Sequence, residues 1–274
     1  MIPELHIRDW KKQAPWQSNG QVEQDLIISR AIVEIFSDDF LCNSLAFRGG
    51  TALHKLYISP QIRYSEDIDL VQIKVEPIKA TMDKIRKVLS FLGKPIIKQK
   101  IHNNTLIFRF ESEMPPIVNL RLKIEINTRE HLNILGLKEI PFEVKNAWFS
   151  RQCNITGYTI EELLSTKLKA LYGRKKGRDL FDLYCALTLL DIDIEKLLHC
   201  CKIHYEHAEL KPPTAKQFMR NMEEKLSDSE FTNDIFTVLK PDVEYNNLEA
   251  WELVRKKLFE ATSGKTLAKP LERD

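Results

Sequence analysis

Asp67-Ile68-Asp69, downstream of Gly49-Gly50-Thr51 in the stretch FRGGTALHKLYISPQIRYSEDIDLVQI, is where this sequence can do chemistry. In a β-strand, residues i and i+2 point to the same face. Asp67 and Asp69 therefore project together, while Ile68 and Leu70 point into a core. Two carboxylates held side by side repel unless a cation sits between them. Mg²⁺, or Mn²⁺ with the same taste for oxygen, is the usual answer, held by one or two carboxylates plus substrate phosphates. Gly49-Gly50-Thr51 supplies the other half. It follows an apolar run, Leu45 to Phe47, and precedes a helix-like run, Ala52 to Tyr57. Glycines let backbone N–H groups approach a ligand, and a helix N-terminus favours phosphate. A phosphate cradle beside a metal-binding acid pair is equipment for nucleotidyl transfer from a nucleoside triphosphate.

The chain carries its own controls. Asp191-Ile192-Asp193 repeats the letters but lies between two helical runs, where Asp193 reads as an N-cap. Ser263-Gly264-Lys265-Thr266 imitates the end of a P-loop, but Phe259 stands where the motif needs its first glycine. His199, Cys200, Cys201, His204 and His207 match no usual zinc spacing and are interleaved with Leu197, Leu198, Ile203 and Tyr205 like an ordinary helix.

The elements that must position the acid pair follow from periodicity. Residues 1–20 read as an extended arm anchored by Trp10 and Trp16, and Gln21–Phe36 as a helix. Leu45–Arg48 reads as a short strand, Thr51–Tyr57 as a short helix, and Ser65–Ile73 as the strand carrying the acids. Ile78–Leu92 reads as a helix and Pro95–Ile101 with Thr105–Glu111 as a hairpin. In Ile117–Asn127, apolar Leu120, Leu122, Ile124 and Ile126 alternate with Arg121, Lys123, Glu125 and Asn127, which makes a strand. A strand-like stretch near Ile140–Val144 closes the first part. From the capping-box sequence Thr159-Ile160-Glu161-Glu162 onward, helices are expected at 160–173, 178–190, 194–206, 214–226, 229–238 and 244–262, with a frayed tail from Gly264. The expected architecture is an α/β (α+β) lobe with a mixed sheet over residues 1–150, followed by a helical lobe over 151–274 that completes a cleft.

Composition sets bounds. The 274 residues are 43% hydrophobic and 29% charged, ordinary for a globular chain. No apolar run approaches a membrane span, and the start lacks the apolar core of a signal peptide, so no membrane partner is expected. The five cysteines include no C-x-x-C pair, which suits reduced thiols in a cytoplasm. A net charge of +2 means that any nucleic-acid contact must come from a local patch.

Two-metal transfer often adds a third carboxylate from a neighbouring strand. Glu125, on the polar face of its strand, is the candidate; the plainer reading is a solvated face. In the 160–173 helix, Lys167 falls on the apolar stripe of Leu163, Leu164, Leu168 and Leu171. It either snorkels outward or reaches an anion between the lobes. Arg174, Lys175, Lys176 and Arg178 cluster at the helix end, and Asp179 and Asp182 follow. Facing the cleft, these charges would suit a triphosphate and an RNA backbone.

With these pieces in view, the chain resembles the AbiEii/AbiGii family of nucleotidyltransferase toxins, from bacterial toxin–antitoxin and phage abortive-infection systems. The resemblance lies in FRGGTALHKLY, RYSEDIDL, EELLSTKLKALYGRKKGRDLFDLY and YNNLEAWELVRKKL. It implies a polymerase-β-like nucleotidyltransferase fold. It implies nucleotide binding at Gly49, Gly50, Thr51, Ser65, Arg178 and Asp179, metal at Asp67, Asp69 and Glu125, and catalytic roles for Asp67, Asp69, Lys167 and Asp182. It also implies transfer to RNA, in some members to the tRNA 3′ acceptor end with a block of translation, and a cognate antitoxin. Two other readings compete. One is an enzyme of this fold modifying a small molecule or a protein, against which the Arg174–Arg178 run argues. The other is a catalytically silent nucleotide-binding protein, against which the intact acid pair argues.

Overall fold

The computed structural model describes residues 2–260. The decoy at Ser263–Thr266, the tail from Gly264 and the last residues of the expected 244–262 helix lie outside them. The chain divides into two units: Met1–Leu163 with Val238–Val243, and Leu164–Thr237 with the chain from Glu244.

The first unit is built on a seven-stranded mixed sheet. Its strands are β1 (Leu45–Arg48), β2 (Asp67–Gln72), β3 (Ile96–Lys100), β4 (Asn103–Glu111), β5 (Asn119–Asn127), β6 (Leu137–Asn146) and β7 (Phe149–Tyr158). Their spatial order is β3-β4-β5-β2-β1-β7-β6. β2 runs parallel to β5, and β1 to β7; the other neighbours are antiparallel. One face of the central strands is largely apolar: Ile68, Leu70, Leu106, Phe108, Leu122, Ile124 and Ile126 are all buried. The opposite face carries the alternate, polar residues of the same strands.

The helices of this unit are α1 (Glu4–Trp10), α2 (Asn19–Phe36), α3 (Asp39–Ser44), α4 (Gly49–Ala52) and α5 (Lys79–Val88). α2 starts with a full capping box between Ser18 and Gln21 and buries Val22, Leu26, Ile28, Ile32 and Ile35. The expected extended arm is instead helical over α1, because Ile7 and Trp10, three apart, both bury on one side. Trp10 Nε1 donates to Asp25 Oδ2 of α2 at 2.9 Å. The other Asp25 oxygen accepts from Lys55 Nζ at 3.0 Å, an ammonium that also donates to Ser29 and Gln61. Lys55 lies in a single π-helical turn, Leu53–Tyr57, that continues α4. This buried ion pair, 2% and 1% exposed, ties the segment after the glycines to α2.

The first unit reaches past residue 150 because β7 belongs to its sheet. α6 (Ile160–Gly173) then begins as the capping sequence foretold, with the Glu162 N–H on Thr159 Oγ1 at 3.4 Å. The Glu162 carboxylate accepts the backbone N–H groups of Ile134 and Leu135, at 2.9 and 3.0 Å, and so fixes the β5–β6 connection.

The second unit is helical: the rest of α6, then α7 (Gly177–Leu189), α8 (Ile194–His207), α9 (Ala215–Leu226), α10 (Ser229–Asn233) and α11 (Asn247–Arg255), with a closing π turn at Lys256–Glu260. Its core includes Phe218 stacked on Trp251 at 6.1 Å and tilted against Phe259 at 4.9 Å. Lys225 of α9 donates to the last carbonyls of α6, Leu171 and Tyr172, and burial pushes its pKa down to about 8. Asp193 caps α8, accepting the Lys196 N–H at 3.1 Å. Cys200, Cys201 and His204 pack inside that helix, and the five cysteines are free thiols. Among the described residues, no helix is long and apolar enough to cross a membrane.

Candidate active site

Chain direction turns sharply at the end of β1. Gly49 takes φ +82°, in the left-handed region that glycine enters without a Cβ penalty. A second constraint acts on the same atom. A Cβ on Gly49 would overlap the Asp69 carboxylate and lie 2.9 Å from both Asp69 Cβ and Cγ. The carboxylate of Asp69 therefore rests directly on the backbone of the glycine turn. Thr51, 1% exposed, shares a 2.6 Å hydrogen bond with Ser65 Oγ, and its hydroxyl also donates to the Asp67 carbonyl. Both hydroxyls thus bind the turn to the entry of β2. What Thr51 leaves for a ligand is backbone.

On β2, Asp67 and Asp69 share the polar face. The parallel register with β5 sets Lys123 beside Asp67 and Glu125 beside Asp69. Glu125 is thereby brought to the acid pair. The cation between the carboxylates is the chain's own: Lys123 Nζ lies 3.2 Å from Asp67 Oδ2 and 2.8 Å from Glu125 Oε1. Partial burial works against this ammonium, but the Glu125 hydrogen bond and the Asp67 charge outweigh it and hold its pKa above the usual lysine value. Across β1, Arg48 faces Asp69 in register and sends its guanidinium to Glu130 at 3.0 Å.

The donor set suits a hard cation carried in with substrate. Among the described residues, no three His, Cys, Asp or Glu side chains are gathered tightly enough to cage an ion alone. Mg²⁺ does not need such a cage, since one or two carboxylates and phosphate oxygens suffice. Asp67 and Asp69 would be the protein ligands, with Glu125 next to them.

A separate charge cluster is assembled in the second unit. Lys167 does not snorkel; it turns inward, 7% exposed, with Nζ 2.8 Å from Asp182 Oδ2 and 3.3 Å from Asp179 Oδ1. Both aspartates are fully buried. Arg174 clamps Asp179 through Nε at 2.7 Å and Nη2 at 2.9 Å. Arg178 binds Asp234 with Nε at 2.9 Å and Nη2 at 3.1 Å. Lys175 pairs with Asp228 at 2.7 Å and Lys176 with Asp234 at 3.4 Å. The basic run read as facing the cleft is therefore paired: Arg174 with Asp179 five residues on, and Lys175, Lys176 and Arg178 with Asp228 and Asp234 far downstream. Gly177 opens α7 there because a Cβ would strike the Phe231 carbonyl.

Sequence reasoning missed two roles. Lys123 was visible as the polar-face neighbour of Glu125, but its bridge to Asp67 depends on the β2–β5 register. The packing of Gly49 under Asp69 had a signal in the Gly-Gly pair itself. From it follows an expected result: Gly49→Ala lowers nucleotidyl transfer by about 100-fold or more, because a displaced carboxylate costs that much at a reacting centre. Loss of folding stability should stay near 1–3 kcal/mol. Label incorporation and urea midpoints measured together test this, and wild-type activity in the variant would refute it.

Known proteins bear on this geometry. The family model for the nucleotidyl transferase AbiEii toxin of type IV toxin–antitoxin systems matches residues 30–256. Among solved structures, the fold is similar to MenT4, the nucleotidyltransferase toxin Rv2826c of Mycobacterium tuberculosis H37Rv, with TM-score 0.65 and 14% identity over 96% of this chain and 90% of that one. It is also similar to JHP933 from Helicobacter pylori, with TM-score 0.53 and 18% identity over 90% and 97% of the two chains. A comparison with curated protein sequences gives no match. The glycine turn, the acid pair of β2 and the match over most of the chain agree: the protein is a nucleotidyltransferase and belongs to the AbiEii toxin family of type IV toxin–antitoxin systems.

Proposed function

We propose that the protein transfers a nucleotide from a nucleoside triphosphate to the 3′ end of an RNA, with tRNA the foremost acceptor, and that this blocks translation until a cognate antitoxin intervenes. The observation that carries the reading is the row of carboxylates, Asp67, Asp69 and Glu125, set against the Gly49–Gly50 backbone. In this reading the backbone N–H groups of the turn face the phosphates and the acids face the cation. Bound Mg²⁺ or Mn²⁺ supplies charge neutralisation on the triphosphate and activation of the attacking oxygen. Thr51 and Ser65 keep the turn and β2 in one piece, so cradle and acids move together. The RNA hydroxyl gives up its proton as its oxygen bonds to the α-phosphorus, the bond from the α-phosphorus to the bridging oxygen breaks, and pyrophosphate departs. In the second unit, Lys167 with Asp179 and Asp182 acts as a positioning cluster that holds α6 to α7.

The test is incubation of the full chain with total RNA and each α-labelled nucleoside triphosphate in turn, with Mg²⁺ or Mn²⁺. Label is expected at RNA 3′ ends with one nucleotide preferred. Label on protein or on a small molecule, and never on RNA, would replace this reading with the competing one. The pairing-off of Arg174–Arg178 makes that arm worth running, since the run no longer argues for RNA by itself.

A further inference from the structure

The register puts an unmatched basic strip on the same face of the sheet as the acid pair. Arg109 of β4 and Arg121 of β5 stand directly opposite each other, one row along from Lys123 and Asp67. That row spacing is about 7 Å along the strand. On the edge strand, Lys98 faces Thr105, and Thr105 faces Glu125, so Lys98 continues the row of Asp69. Lys100 occupies the next row, opposite Asn103. All four cations are exposed. Among the described residues, none of the four side chains takes part in a hydrogen bond or ion pair.

The cations that surround the acid pair and the α6–α7 cluster differ. Lys55, Lys123, Lys167, Arg174, Lys175 and Arg178 each meet a carboxylate. Like charges directly opposite on adjacent antiparallel strands are destabilising. Arg109 and Arg121 are such a pair, and the nearest acid along the face, Glu111, stands one row beyond, opposite Asn119. Guanidinium groups this close, without an acid, are matched to phosphate, which they can grip with two N–H groups each.

We propose that Arg109 and Arg121, with Lys98 and Lys100 two and three rows further along on the edge strand, form a track for the phosphodiester backbone of the acceptor RNA, leading its 3′ end to Asp67 and Asp69. The track rests on the RNA reading above and assigns the acceptor to a surface of the first unit. The basic run at 174–178 is not this surface, because its charges are already paired.

A fluorescein-labelled single-stranded RNA, titrated with the full chain over a range of KCl, tests the track. Arg109→Glu with Arg121→Glu should weaken RNA binding at least tenfold at low salt. It should also flatten the log–log salt slope by about 1.4, roughly 0.7 for each lost phosphate contact. Arg109→Gln with Arg121→Gln should flatten the slope similarly with a smaller loss of affinity. Binding of the Mn²⁺–nucleotide complex should be unchanged. Single Arg109→Glu should melt at or above the wild-type temperature, since it turns a repulsive cross-strand pair into an attractive one. Wild-type affinity and slope in the double variants overturn the track alone and leave the RNA reading intact. A larger loss from Lys175→Glu with Lys176→Glu also overturns it. No RNA binding by the wild-type chain at low salt overturns both.

Discussion

Replacing Lys167 by alanine is expected to lower the unfolding free energy by about 3–5 kcal/mol, the cost of breaking a buried pair by removing one partner. Lys167 supplies the ammonium 2.8 Å from Asp182 and 3.3 Å from Asp179, and neither aspartate has any exposed surface. Arg174 still serves Asp179 in the variant, whereas Asp182 loses its ammonium outright. Lys169→Ala is the control. Its ammonium donates once, to the His204 carbonyl at 2.8 Å, and lies 5.5 Å from the Tyr205 ring. That contact is worth about 1 kcal/mol. Urea midpoints at constant slope make the comparison. A loss under roughly 1 kcal/mol for Lys167→Ala would show that the cluster does not hold α6 to α7. Activity of this variant has meaning only at a denaturant and temperature where it is folded.

Asp69→Ala should abolish transfer, by about three powers of ten or more, while the chain stays folded. A cation at such a site supplies several kcal/mol of charge stabilisation, and each 1.36 kcal/mol is a factor of ten. The apo fold should lose little. Asp69 is partly exposed, and its removal takes one negative charge from a face that also holds Asp67 and Glu125. Direct Mn²⁺ binding should fall with activity. A clear drop in stability without metal would mark Asp69 as a structural residue and end the metal reading.

Much of this was legible in the residues, for stated reasons. Strict alternation exposed β5 and put Glu125 on its polar face, and the i, i+2 rule paired Asp67 with Asp69. β7 was missed because Phe149–Tyr158 contains Arg151, Gln152 and Asn154 and reads as polar until β1 and β6 pair with it. α1 was missed because it is only seven residues long and shows just two apolar anchors, Ile7 and Trp10, on its buried side. A local window shows Arg174 to Arg178 but not Asp228 and Asp234, which pair with Lys175, Lys176 and Arg178 from the two ends of α10. Arg109 and Arg121 have the opposite history. Each looked like an ordinary surface residue of an alternating strand, and only antiparallel register makes them a pair.

The segment Val238–Val243 has a consequence for synthesis. It returns to the first unit beside residues 62–64: the Tyr64 N–H donates to the Val238 carbonyl at 2.7 Å, and the Lys240 N–H to the Ile62 carbonyl at 3.3 Å. Gln17 donates to the Leu239 carbonyl at 2.9 Å. The chain that leads into Asp67 thus waits for a partner translated long after it. At about 5–20 residues per second, a ribosome needs roughly ten to thirty seconds between emitting β2 and emitting this segment. A nascent chain, or one terminated before Val238, therefore lacks the support behind its acid pair, and the lobe becomes complete only once Val238–Val243 has been made.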